Sequence, residues 1–493
     1  MGTETELKLA LAAADISTLL QNPLLAAPPK RQRLHNTYFD TIDLALTRRK
    51  VAVRERRILR KTLLTVKTAA ESHGGVSQRS EWEAPTTPGQ FDFATLVDDI
   101  KLADELGQLA PQLVPIFTTD FTRRSWTLNF RRAVIEVALD QGSIATQRDQ
   151  SQREQPICEV ELELKSGQPV ALFALARMLS RNVRLHPADD SKAVRGYRLF
   201  LNQTITPRKA LPVHIQGSDR TIQVFKHIAQ SCIAHLQANE GGVLLPQDEE
   251  YVHQARVAMR RLRTALRLFS AALPQGFSER WSNAWRNIAQ ELGNARNWDV
   301  FCSELLPLLD KDLKAHPDLK ALRAFALDRR LQSHESAKAC MTARSYSLTL
   351  ISFCEALMDL RVVDEPISTF ATKALKRRHR KFVSGARIAH TLTAGQRHEV
   401  RIDLKKLRYT LDFFESLYPK KRVQAFSRAL TDTQELLGHM NDLATADLLM
   451  HERQMATADA PMAWSQGRMS AYLEMLPSAL KPMIKQNVPW SRN

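Results

Sequence analysis

The sequence predicts an α+β chain: an N-terminal antiparallel β-barrel with flanking helices, followed by an all-α domain made of a duplicated helical bundle. Three observations lead there. Apolar and charged residues alternate at a period of two from the N-terminus to about residue 200, the mark of strands. From about Thr221 onward the apolar spacing becomes helical and turn residues thin out. A basic stripe beginning at His253 returns at His398, an offset of 145 positions.

The strands have an unusual content. In ETELKL, Glu4, Glu6 and Lys8 share one face and Leu7 and Leu9 the other; in AVRER, Arg54 and Arg56 share a face. QRSEWE sets Arg79, Glu81 and Glu83 opposite Trp82, and VIEVALD sets Glu136 and Asp140 opposite Ile135, Val137 and Leu139. CEVELELK sets Glu159, Glu161, Glu163 and Lys165 against Cys158, Val160, Leu162 and Leu164. One reading makes these the solvated outer faces of an open antiparallel sheet. Yet single strands carry carboxylates without cations, or arginines without acids. Curled into a closed barrel with charges inward, the same faces neutralise one another around a wet lumen, while the apolar faces look out to covering helices. Such a lumen suits a multiply charged anion with a divalent metal.

The stretch LNQTITPRKALPVHIQGSD (201–219) carries two prolines and a Gly-Ser pair, which suits a linker. The expected division is a barrel domain over 1–205, a linker over 206–218 and a helical domain over 219–493, with repeats of about 219–360 and 361–493. In the first repeat His253, Arg256, Arg260, Arg263 and Arg267 are spaced 3, 4, 3, 4, beside an apolar stripe of Val252, Ala255, Met259, Leu262, Leu266 and Phe269. The second repeat keeps the registration, with His398, Arg401, Lys405 and Arg408 beside Val400, Leu404, Leu407, Leu411 and Phe414. Leu292-Gly293 and Leu437-Gly438 recur at the same offset. A single basic helix face is ordinarily just solvated, but solubility alone does not need two copies in register. Between Glu365 and Glu399 there is no acid and there are eight Lys and Arg, including Lys376, Arg377, Arg378 and Arg380 of KALKRRHRK. Two stripes lining opposite walls of one basic groove account for this pattern.

The bulk composition agrees. The 493 residues hold 70 Lys+Arg against 53 Asp+Glu, a formal charge of +17, which points to a polyanionic partner. The stripes lack the interleaved aromatics of single-strand nucleic-acid binders and the Asn or Gln donors of duplex readers. They offer Arg, Lys and His alone, so an all-phosphate ligand fits and no nucleic acid is expected. The five scattered cysteines form no CxxC pair, as in a reducing compartment. No run of 18 apolar residues spans a membrane, and MGTETELKLA carries acids where a secretory signal has Lys or Arg. A cytoplasmic location is expected.

The ordered motifs resemble a known family. ETELK fits the ExExK signature of the CYTH superfamily, the triphosphate tunnel enzymes; YFDT, the Arg54/Arg56 pair, Lys67 of TVK, QRSEWE, Arg123 of FTRRSW and EVELELKSG follow in the family's order. QRSEWE, ALDQG and ELELKSG look like the bacterial inorganic triphosphatase branch rather than the cyclase branch. The second half resembles the CHAD domain, a helical module that binds inorganic polyphosphate. The resemblance implies Mg²⁺ (or Mn²⁺) on Glu4, Glu6, Glu159 and Glu161, with Glu163 as a helper, since hard cations want oxygen ligands. It implies phosphate clamps at Lys8, Arg54, Arg56, Lys67 and Arg123, substrate contacts from Arg79, Glu81 and Lys192, and catalysis by Glu4, Glu6, Lys8, Arg54, Arg56, Lys67 and Arg123.

Two departures from the family pattern stand out. Glu55 sits between the clamp arginines and is expected to point away from the lumen. Asn297 replaces an acid near Asp299, which is expected to orient a basic partner. The implied function is hydrolysis of inorganic triphosphate to pyrophosphate and phosphate, with polyphosphate binding by the helical domain and a possible place at polyphosphate granules. The alternative is a non-catalytic polyphosphate-binding scaffold. The tail from about His451 to Asn493 reads as a last amphipathic helix closing the bundle.

Overall fold

A computed structural model describes the chain except residues 1, 69–70, 149–150, 246–247, 315, 362–364, 452–458 and 492–493; the start of the expected tail therefore lies outside the described residues. Among the described residues ten strands are formed: β1 (Gly2–Leu11), β2 (Lys30–Asp40), β3 (Ala52–Ile58), β4 (Lys61–Lys67), β5 (Glu71–His73), β6 (Val76–Thr86), β7 (Val114–Phe130), β8 (Ala133–Arg148), β9 (Ser151–Ser166) and β10 (Leu185–Pro187). The principal helices are α1 (Ile100–Leu109), α2 (Val170–Leu179), α3 (Lys192–Leu201), α4 (Thr221–Leu244), α5 (Glu249–Leu268), α6 (Arg286–Val300), α7 (Pro317–Thr342), α8 (Arg344–Asp359), α9 (Ile367–Arg387), α10 (Ala394–Phe414), α11 (Lys420–His451) and α12 (Asp459–Lys485).

The chain divides into two compact units, Met1–Thr206 with Thr342–Asp359, and Pro207–Met341 with Leu360–Asn493. In the first, an antiparallel sheet runs β1-β9-β8-β7-β2-β3-β4-β6 and closes through β1–β6, an eight-strand barrel; β10 pairs with β1 and β5 with β6. On β1, β3, β4, β6, β8 and β9 the apolar face looks outward. Val53, Val66 and Trp82 pack with Phe93 and with Ala103 and Leu106 of α1, and Leu7, Leu9, Val160 and Leu162 are fully buried.

The rule that charges line the lumen throughout is incomplete. On β2, β7, β8 and β9 the inward face continues past the charges into an apolar cluster of Leu34, Phe117, Phe121, Ile144 and Ile157, to which α3 adds Tyr197. Gly196 is needed here, since a Cβ would stand 2.1 Å from the Phe117 ring.

The helix α8 belongs to this first unit although its sequence lies deep in the helical half. Its Glu355 accepts from Arg177 Nε of α2 at 3.0 Å, and its Ser347 Oγ lies 3.0 Å from His186 Nδ1 on β10.

The second unit is all-helical. α4–α7 and α9–α12 each follow as a series of four helices, with α5 and α10 starting 145 positions apart. Thr393 and Gln396 form a capping box at the start of α10. Beyond α12, Trp490 is buried and packs its ring 5.2 Å from Phe426 and 5.8 Å from His379 of α9. Among the described residues, no helix is long and apolar enough to cross a membrane.

Candidate functional site

In the barrel unit the period-two pattern of β1 aims Glu4, Glu6 and Lys8 inward. Arg79 of β6 ties the first two together, its Nε donating to Glu4 Oε2 at 2.8 Å and its Nη2 to Glu6 Oε1 at 2.7 Å. Lys67 Nζ of β4 lies 3.0 Å from Glu4 Oε2 and 2.9 Å from Glu81 Oε1. Burial works against an ionised Glu4, but Lys67 and Arg79 override it and hold that carboxyl far below the usual range. Glu81 goes the other way: burial, followed by the Glu4 charge, raises its proton affinity despite Lys67.

A second group forms across β8 and β9. Asp140, Glu159 and Glu161 bring one carboxylate oxygen each within 4.8 Å of the others, a consequence of the Asp140–Glu159 pairing in the ladder. Lys192, at the start of α3, puts Nζ 2.7 Å from Asp140, 2.5 Å from Glu159 and 3.0 Å from Glu161. Arg123 of β7 donates to Asp140 through Nε (2.7 Å) and also to Glu161, and Arg195 Nη1 reaches Glu159 at 2.8 Å. Burial opposes charge on Glu161, yet Lys192, Arg123 and Lys8 hold its carboxyl well below the ordinary range.

The third group is cationic. Arg54 Nη2 on β3 stands 3.5 Å from Glu81, and Arg56 Nη1 3.8 Å from Glu83, while Arg56 Nε donates to Asn36 at 3.0 Å. Burial and the neighbouring Arg54 push the Arg56 guanidinium down to about 10. Arg54 Nε is buried without a hydrogen-bond partner, and the Tyr38 hydroxyl accepts from the Arg54 guanidinium. In the ring of eight strands β3 stands four steps from β9 in either direction, so the arginine pair faces the carboxylate trio across the lumen. Glu55 turns to the opposite face and accepts from Gly89 N at 2.6 Å, as its place between the clamps predicts.

The structure therefore gathers Glu4, Glu6, Lys8, Arg54, Arg56, Lys67, Arg79, Glu81, Arg123, Glu159, Glu161 and Lys192 in one network. Glu163 is drawn aside to Lys165 at 2.6 Å and lies outside the carboxylate trio. Sequence reasoning overlooked Asp140, Tyr38 and Arg195. Asp140 was visible on the charged face of its strand and Tyr38 in YFDT; Arg195 carried no signal beyond its place one turn after Lys192.

The helical unit holds a different arrangement. Arg256 and Arg260 of α5 converge with Arg401 and Lys405 of α10. Burial, together with Arg260, Arg401 and Arg256, pushes the Lys405 ammonium down to about 6, and burial with Arg260 and Arg401 lowers Arg256 to about 10. The Arg260 guanidinium lies 5.2 Å over the Tyr409 ring. Arg401 Nη2 stands 4.0 Å from Asp442 Oδ1. The Nε atoms of Arg260 and Arg401 are buried without partners.

A second group gathers Arg263, Arg267 and Arg286, with Arg378 and Arg377 adjoining through Arg267; burial and these like charges depress Arg263 and Arg378. Arg286 was not singled out from sequence. Lys376, Arg377 and Arg380 are exposed on α9. His253 lies beside Arg296, whereas His398 Nδ1 bonds to Asn441 at 2.8 Å and Arg408 Nη1 to Gln434 at 2.9 Å. Asp299, fully buried, orients Arg330 (2.7 Å) and His334 (2.8 Å).

A barrel with cations and carboxylates facing one another inside is joined in one chain to a helical bundle in which arginines and a lysine converge. Residues 2–197 match the CYTH domain model and residues 227–451 the CHAD domain model; the chain belongs to the proteins that join a CYTH domain to a CHAD domain. A curated relative, the inorganic triphosphatase of Haemophilus influenzae, is 35% identical over 173 residues, which is 35% of this chain and 47% of that protein. The chain thus aligns with about half the length of that relative. The crystal structure of the CHAD domain from the plant Ricinus communis matches 58% of this chain and 98% of its own, with 28% identity and a TM-score of 0.52.

Proposed function

We propose that the barrel hydrolyses inorganic triphosphate to pyrophosphate and phosphate with a divalent cation, and that the helical unit binds inorganic polyphosphate. The observation that carries the first part is the opposition of Arg54 and Arg56 to the Asp140, Glu159 and Glu161 trio across one lumen. Carboxylate oxygens are the kind of donor that Mg²⁺ or Mn²⁺ takes, shared with substrate phosphates, and the cation when bound supplies positive charge to the phosphoryl oxygens. Arg54, Arg56 and Lys67 bind the phosphate chain and hold its oxygens as charge builds at the terminal phosphorus. Arg54 has a spare buried donor for this. Among the lumen carboxyls Glu81 has raised proton affinity, which suits it to take the proton of the attacking water. The relationship to an inorganic triphosphatase over the barrel supports the substrate.

Phosphate release from triphosphate, read with malachite green, tests the barrel. EDTA, Glu4→Gln or Glu159→Gln abolishes release if the reading holds; unchanged turnover refutes it. Retained triphosphate binding with no release in the unaltered chain and metal present leaves the scaffold reading in its place. For the helical unit, the buried and unpartnered Nε atoms of Arg260 and Arg401 call for an anion, and the polyphosphate reading places the chain at cytoplasmic polyphosphate granules. Filter binding of long-chain polyphosphate, unaffected by changing Arg256, Arg260, Arg401 and Lys405 to Glu, would dismiss the groove.

A further inference from the structure

The carboxylate trio already holds a cation that belongs to the protein. Lys192 Nζ has three protons to donate, and three carboxylates receive them: Asp140 at 2.7 Å, Glu159 at 2.5 Å and Glu161 at 3.0 Å. We propose that Lys192 is the resident counter-ion of the metal cage, an ammonium that a divalent cation displaces on entry and that thereby sets metal affinity. The proposal rests on the metal-dependent reading of the barrel.

Geometry, charge and tethering each support it. The three oxygens converge on one point, so an ammonium and a divalent ion cannot share it. Mg²⁺ needs oxygens at about 2.0–2.1 Å, closer than these nitrogen–oxygen distances, so the carboxylates tighten only once Nζ has left. Three cations, Lys192, Arg123 and Arg195, balance the three carboxylates. The cage is thus neutral before any metal arrives. Divalent entry with Lys192 in place would add two positive charges to a compensated, buried site; entry with expulsion leaves a net gain of one.

Lys192 can move independently of its helix. The backbone of α3 is fixed by its N-cap, Ser191 Oγ accepting from Val194 N at 3.2 Å, and the four-carbon stem provides the swing. The Phe121 ring, whose centroid is 4.9 Å from Nζ, backs the ammonium in its resident position. Lys8, held by Glu6 at 3.3 Å, is the next nearest amine, and its hydrogen bond runs to Glu6 rather than to the trio.

The experiment is calorimetric titration of the full chain with Mn²⁺ alone, without triphosphate. Lys192→Met keeps the stem and removes the charge; it is expected to tighten Mn²⁺ binding by roughly tenfold or more, and Glu159→Gln added to it to abolish the gain. Equal or weaker binding by a folded Lys192→Met chain overturns the proposal. Acylation of the unaltered protein gives a reading that does not depend on a variant folding: Mg²⁺ raises labelling of Lys192 several-fold relative to the other lysines by peptide mass spectrometry, and unchanged labelling overturns the idea equally. Saturable Mn²⁺ binding in the unaltered chain with no effect of Lys192→Met removes this inference alone. Absence of Mn²⁺ binding in both chains, with EDTA-insensitive turnover, removes the metal-dependent reading and this inference together.

Discussion

The two cationic regions of this chain solve the same problem in opposite ways. In the barrel nearly every cation has a carboxylate within salt-bridge distance: Arg79 with Glu4 and Glu6, Arg123 and Lys192 with Asp140 and Glu161, Lys67 with Glu4 and Glu81. In the helical unit Arg256, Arg260, Arg401 and Lys405 face one another, and Asp442 stands 4.0 Å from Arg401. A compensated network holds its shape without ligand and exchanges partners when one arrives, which suits a reaction that must turn over. An uncompensated cluster stores repulsion that a bound anion relieves, which suits retention.

The largest effect should separate these behaviours. Arg56→Ala removes a clamp from the lumen and is expected to slow phosphate release about 10²–10³-fold while leaving polyphosphate retention on filters unchanged. Next, Arg401→Glu with Lys405→Glu should weaken long-chain polyphosphate binding by about a hundredfold and leave triphosphate turnover intact. Any crossed result, with a lumen change weakening polyphosphate retention, would break the division of labour.

The same contrast explains what could be read before the fold was seen. Strand alternation marks which side chains share a face, and so brought together Glu4, Arg56 and Glu161. It cannot say which of those faces come within chelating distance. Asp140 joins the trio because β8 pairs with β9 in a register that sets it against Glu159, while Glu163, two residues after Glu161 on the same face, is drawn to Lys165. The repeat offset fixed the partnership of α5 with α10, because both copies carry the same stripe. It was silent on α8: LTLISFCEALMD is an ordinary apolar helix by pattern, and nothing in its spacing tells that it packs with α2 and β10 of the barrel unit. The apolar cluster inside the barrel was hidden for a related reason, since a run such as FTTDF mixes both environments along a single face.

pH sharpens the comparison, because the two regions lose stability over different windows as pH falls. Lys405 is depressed to about 6, first by burial and then by its three neighbours, from about 10.4 in an unfolded chain. Between those values the unfolded chain binds more protons, so stability of the helical unit rises with pH and is lost as pH falls toward 6. Chemical denaturation from pH 6 to 9 should show a gain on the order of 2 kcal/mol that Lys405→Met flattens. Polyphosphate favours the charged amine, so its affinity should rise as pH falls through the same window. In the lumen, Glu4 and Glu161 are held below their ordinary value of 4.5 by adjacent cations. Their stabilisation is complete above that value and lost only in stronger acid. A helical unit indifferent to pH between 6 and 9 would mean that the cluster is more hydrated than its burial implies.

The smallest effects come from two glycines at corresponding places in the repeats. Gly293 of α6 is buried, and a Cβ there would stand 2.2 Å from Arg256 Nη1; that nitrogen occupies the space any side chain would need. Gly438 of α11 has nothing within 4 Å of the same position. Both sit inside helices, where alanine is favoured over glycine by roughly 0.5–1 kcal/mol. Gly438→Ala should therefore stabilise the chain by about that amount and leave ligand binding alone. Gly293→Ala gains the same backbone term but displaces Arg256 from its place beside Arg260 and Arg401, so polyphosphate affinity should fall several-fold while triphosphate turnover holds. Matching outcomes for the two alanines would mean that Arg256 finds an equivalent position elsewhere, and that the first repeat does not depend on its glycine to shape the cationic cluster.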